Sequence, residues 1–105
     1  MEVLQHGRDG YVAVCSGCGG FQVAFGTCLF QADAGTVATL SERIAHDRQA
    51  YAGRVCPGHK AFTYDVGSHC MRLVLCHAEL ERFDDLLRDA LWMHGIYASV
   101  TDDLP

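Results

Sequence analysis

The sequence predicts an α+β fold in which an antiparallel sheet is covered by two amphipathic helices, in the order strands, helix, strands, helix. Three observations predict it. Phe21, Val23 and Phe25 alternate with Gln22 and Ala24, the period of a half-buried strand. Leu80, Phe83, Leu87, Ala90, Leu91 and His94 recur along one helical stripe, backed by Leu86 and Trp92. Short turn clusters rather than long crossovers separate neighbouring strand-like runs, which favours antiparallel pairing and a two-layer sandwich.

Gly7-Arg8-Asp9-Gly10 is a turn cluster between extended runs at residues 3–6 and 11–15, so these two runs form a hairpin. The alternating Phe21 to Phe25 run follows, and Gly26 precedes a further strand over 27–31. Asp33 is placed to cap a helix reaching to about Tyr51, with Val37, Leu40, Ile44 and Tyr51 at helical spacing and Gly53 closing it. Residues 54–60 form a loop by composition. Phe62, Tyr64 and Val66 alternate as a strand, Gly67-Ser68 turns, and residues 70–75 make a second apolar strand. Cys76 to Glu79 has the spacing of a capping box, and the last helix is expected to end near His94 and Gly95.

At 105 residues, with 50% hydrophobic and 20% charged side chains, the chain has room for one domain, residues 1–105, and is too apolar to be disordered. Eight Lys and Arg against 13 Asp and Glu leave a net charge of −5, which excludes the broad basic surface of a general nucleic-acid binder. Arg72, His77 and Glu79 interrupt the strongest apolar run, so no segment spans a membrane. Residues 1–10 carry Glu2, His6, Arg8 and Asp9 and lack the apolar core of a secretory signal, which points to a cytoplasmic protein. In that compartment 6 cysteines read as thiols, metal ligands or buried residues rather than as disulfides.

The chemistry concentrates in Cys15-Ser16-Gly17-Cys18-Gly19-Gly20. A C-x2-C turn brings two sulfurs within reach of one tetrahedral ion, and its glycines accept the backbone torsions that aim amide groups at thiolates. Its place between two strands matches a zinc knuckle and not a redox motif, whose first cysteine opens a helix. Cys56-Pro57-Gly58-His59 supplies a C-x2-H turn, so Cys15, Cys18, Cys56 and His59 together predict one structural Cys3His zinc ion. Cys28, His69, Cys70 and Cys76 compete for the same role. Cys28 and Cys70 lie in strand-like runs and read as buried small residues, whereas Cys76 sits at a helix start that favours a thiolate. His6 and His94 read as ordinary exposed or helix-end residues.

The run Cys-Ser-Gly-Cys-Gly-Gly-Phe-Gln-Val-Ala-Phe-Gly-Thr from Cys15 to Thr27, followed by Arg-Leu-Val-Leu-Cys-His-Ala-Glu-Leu from Arg72 to Leu80, resembles a small bacterial domain-of-unknown-function family of about this length. The resemblance implies that Cys15 and Cys18 belong to a shared pattern. It implies no reaction and no substrate.

The function expected from these residues is a small zinc-binding module, not an enzyme, that presents a surface to another protein or to a second copy of itself. The alternative is a thiol- or metal-dependent enzyme or sensor in which Cys15 and Cys18 work with His59, His69 or Cys76.

Overall fold

The computed structural model describes residues 1–15, 17, 19–66 and 71–103, with 96–103 as helix backbone only. Strands β1 (Glu2–His6), β2 (Gly10–Val14), β3 (Phe21–Phe25) and β4 (Cys28–Ala32) form an antiparallel meander in the order β1-β2-β3-β4. Helix α1 (Ala34–Ala50) follows, then the antiparallel hairpin β5 (Lys60–Asp65) and β6 (Arg72–Cys76), then helix α2 (His77–Asp103).

The meander's register sorts its side chains. Val12, Val23 and Phe30 lie in one row across three strands, and with Phe21 and Phe25 they form the buried face. A slip in the β1–β2 pairing between Val3 and Gln5 accompanies Leu4, which is buried while Val3 is exposed. On the opposite face stand Tyr11, Gln22, Ala24, Leu29 and Gln31. The period-2 pattern therefore has the cause expected of it: one face is packed, and the other is partly open to water, with Leu29 and Gln31 exposed and the small Ala13 covered.

Asp33 caps α1, its Oδ1 accepting the Thr36 N–H at 2.7 Å, and this bond holds its carboxyl below the ordinary carboxylate range. Val37, Leu40 and Ile44 turn inward. Tyr51 is the C-cap rather than a core residue: it is exposed, and its ring meets the edge of Phe62.

The capping box at the start of α2 is present in its reciprocal half, with the Cys76 N–H donating to Glu79 Oε1 at 2.9 Å. Leu80, Phe83, Leu87 and Ala90 are fully buried, and Phe83 packs on Phe25 with ring centroids 4.5 Å apart. Two expectations for this helix are corrected. It runs through Gly95 to Asp103, because glycine inside a helix costs only about 1 kcal/mol and no stop signal follows it. Trp92 is 66% exposed instead of backing the stripe, whereas His94 is half-buried with its ring centroid 4.9 Å from that of Phe21.

The single covered sheet is also corrected. The described strands form two sheets, one of four strands and one of two, that share no ladder. Local links decide which neighbours pair, and α1 separates β4 from β5. α2 packs against β1, β2, β5 and β6 and is tied to the β1–β2 turn by Arg82 to Asp9 at 2.8 Å, while α1 packs against α2. Among the described residues no helix is long and apolar enough to cross a membrane.

Glu79 offers a test of the α2 start. The Cys76 N–H first, and the Lys60 ammonium second, hold its carboxyl down at about 2 from an ordinary 4.5. A depressed carboxyl contributes stability that is complete above its unfolded-state value and is withdrawn as pH falls through the folded one. The window is therefore from about pH 5 down to about 2. In Glu79→Gln, which keeps an acceptor for the Cys76 N–H but no charge, urea unfolding across that window should show a flatter acid limb. A slope unchanged from the parent would remove Glu79 from the account.

Candidate functional site

The β2–β3 ladder brings Val14 opposite Phe21 and then closes on itself. The Cys15 N–H donates to the Gly20 carbonyl at 2.8 Å, and the Gly19 N–H donates back to the Cys15 carbonyl at 2.9 Å. Gly19 has φ of +73°, a conformation in which a side chain is strained, so the glycine after the second cysteine position is a geometric requirement of this turn. Cys15 is half-buried. It lines a cleft of about 380 Å3 together with Met1, Phe21, Ala32 and Asp33. Cys18 lies outside the described residues.

Cys56 and His59 form the expected turn, the His59 N–H donating to the Cys56 carbonyl at 3.1 Å, and both side chains are exposed. The Pro57 carbonyl accepts the Ala78 N–H at 3.2 Å, which fixes this turn to the first turn of α2. There His77 Nε2 is 3.1 Å from the carbonyl oxygen of Arg48, in the last turn of α1. The Cys15 cleft, by contrast, includes Asp33, the N-cap of that same helix. A helix of 17 residues is about 25 Å long. The structure thus places Cys15 and the Cys56–His59 turn toward opposite ends of α1, and it does not bring them together. Among the described residues no three His, Cys, Asp or Glu side chains are grouped to hold a metal ion.

The remaining candidates are dispersed. Cys76 is buried at the α2 N-cap. His77, also buried, is engaged on both ring nitrogens, with Nδ1 3.0 Å from Glu81. Cys28, at the start of β4, has its thiol pushed up by desolvation and its sulfur 3.8 Å from that of Met71. His69 and Cys70 lie outside the described residues.

Sequence reasoning missed a polar seam between the helices. Arg48 of α1 places Nη1 2.9 Å from Asp84 and 2.8 Å from Asp85, and Arg88 joins Asp84 from the following turn. Asp84 is fully buried. Its position was available as a signal, since 80, 84, 87 and 91 follow one helical stripe and a carboxylate there must face a partner. Tyr64, on β5, likewise donates to Asp47 of α1 at 2.6 Å, and burial first, then Asp47, pushes its hydroxyl well above the ordinary phenol range.

Fold and site together define a small α+β domain with a cysteine-bearing hairpin turn at one end. Compared with known proteins, the chain matches no family model, no curated protein and no solved structure.

Proposed function

We propose that the protein is a non-enzymatic metal-binding module in which Cys15 and Cys18 supply two thiolates to one zinc ion, and that the ion joins it to another chain. The observation that carries this reading is the Cys15–Gly20 turn, with its two backbone bonds and left-handed Gly19. C-x2-C spacing on such a turn suits a tetrahedral ion with short metal–sulfur bonds.

Two thiolates fill two of four positions. Cys56 and His59, the other half of the set expected from the sequence, belong to a turn at the far end of α1, and Cys76 is buried. Among the described residues no second pair is grouped with this turn, and in this reading a second copy offering its own Cys15 and Cys18 completes a four-thiolate site. Such a site is closed to substrate, which is why no reaction is assigned.

Elemental analysis of protein purified without added zinc is expected to give one ion per two chains, with a dimer by light scattering that a chelator dissociates. Cys15→Ser should lose both the metal and the dimer. A metal-free monomer of unchanged stability would overturn the proposal, as would thiol alkylation that proceeds equally fast with and without chelator.

A further inference from the structure

We propose that His77 is a proton-dependent latch between the two helices, closed while its ring carries both protons and released when it loses one. Its two nitrogens face two groups that only accept: Nδ1 is 3.0 Å from the Glu81 carboxylate, and Nε2 is 3.1 Å from the carbonyl oxygen of Arg48. A neutral imidazole has one N–H to give, whereas the imidazolium has two. The charged ring therefore satisfies both contacts, and the neutral ring turns a lone pair toward one of them.

The two acceptors belong to different elements, so the second proton is what joins them. The Arg48 carbonyl lies in the last turn of α1, where a helix leaves its oxygens without intrahelical donors, and Glu81 lies one turn along α2. Burial sharpens the choice: His77 is 7% exposed, so a contact that loses its donor is shut off from water. From α1 the Arg48 guanidinium, 3.8 Å from Glu81, opposes the ring's charge, and it is itself tied to Asp84 and Asp85 of α2. From β5 comes the uncharged ring of Phe62, its centroid 5.9 Å from that of His77. Lys60 of β5 pairs with Glu79, Asp47 of α1 accepts from Tyr64, the neighbouring Cys76 is buried, and the Cys56–His59 turn keeps both side chains exposed.

The step is a proton transfer to solvent: one ring N–H bond breaks and its electron pair stays on nitrogen. The remaining N–H stays with Glu81, because hydrogen bonds to a charged acceptor are the stronger ones, so the Arg48 carbonyl is released. The latch is thus closed on the acid side and opens as pH rises. The start of α2 also holds the Cys56–His59 turn, through the Ala78 N–H on the Pro57 carbonyl at 3.2 Å. Release therefore loosens the junction of α1, that turn and α2 together.

The test follows the unaltered protein by NMR from about pH 5 to 8, the range in which histidine changes charge. At the acid end both His77 ring nitrogens should carry protons. As pH rises Nε2 should lose its own, and with the same midpoint the Arg48 carbonyl carbon should shift and the protection of the Ala78 amide should fall. Glu81→Gln, which keeps an oxygen beside Nδ1 without the charge, should move that midpoint to lower pH and leave those of the exposed His6 and His46 in place. His77→Gln should abolish the step at Arg48 and Ala78. A ring with one bare nitrogen throughout overturns the latch, and a ring that keeps both protons throughout is a fixed clamp, which overturns it equally. So does a titration that the Arg48 carbonyl and the Ala78 amide pass through unchanged, or an unmoved midpoint in Glu81→Gln. The parent and Glu81→Gln decide the matter by themselves if His77→Gln fails to fold.

Discussion

Arg48→Met is expected to lower the stability of the fold by about 3 kcal/mol, and adding Asp84→Leu in the same chain should return most of that loss. The cause is an asymmetry of burial. Asp84 is fully enclosed, whereas Arg48 is 30% exposed and reaches it from the last turn of α1. Asp84 Oδ2 takes bonds from Arg48 and Arg88, while its Oδ1 has no hydrogen-bond partner among the described residues. Removing Arg48 strands a carboxylate that already lacks half its partners, and it also releases Asp85. The loss sits at the lower end of the range for breaking a buried pair because Arg88 stays. Replacing both partners by apolar side chains removes the stranded charge, and such replacements are often neutral or better. Urea midpoints at constant slope measure both effects. A single variant within about 0.5 kcal/mol of the parent would show that the seam contributes nothing to stability.

What the sequence made legible was local. Alternation at Phe21 to Phe25 located β3 and its buried face, because a strand's period is short enough to be read from a few residues. Asp33 and the Cys76–Glu79 spacing located two helix starts, because a cap is a contact between residues three apart. Gly95 misled, since a glycine ends a helix only when the backbone there turns left-handed and something satisfies the last carbonyls. The division into two sheets was out of reach of any local signal, as was the partner of Asp84.

The candidate site divides in the same way. C-x2-C with a following glycine predicts a turn, and the Cys15–Gly20 bonds with Gly19 at φ +73° are such a turn. C-x2-H predicts another, and Cys56 to His59 is one. Whether two turns meet is a question about the intervening elements, and spacing along the chain is silent on it. The answer lies with α1, which has one turn toward each end. The closeness of Cys28 to Met71 is non-local for the same reason.

Gly10→Ala is expected to cost about 3 kcal/mol or more and to loosen the cysteine turn as well, whereas Gly7→Ala, three residues earlier, should be nearly neutral. A Cβ on Gly10 would stand 1.8 Å from the Ala24 carbonyl oxygen, 2.7 Å from its carbon and 3.0 Å from the Phe25 Cα. All three are backbone atoms, so no rotamer change relieves the overlap, whereas a Cβ on Gly7 meets nothing within 4 Å. The glycine is there because two strands approach closely and not because of a special torsion. Relief requires β2 to move relative to β3, yet the pairs from Gly10–Phe25 to Val14–Phe21 form one continuous ladder that ends at the Cys15–Gly20 bond. A slip of one residue would turn Val12 out of the core and exchange the two faces of β2. Strain at one end of the ladder must therefore reach the other, some five residues away, where the turn holds Cys15. Amide exchange at Cys15 and the urea midpoint should both change in Gly10→Ala. If the midpoint falls and the Cys15 amide stays as protected as in the parent, the turn closes independently of the ladder, and the close approach at Gly10 matters to the sheet alone.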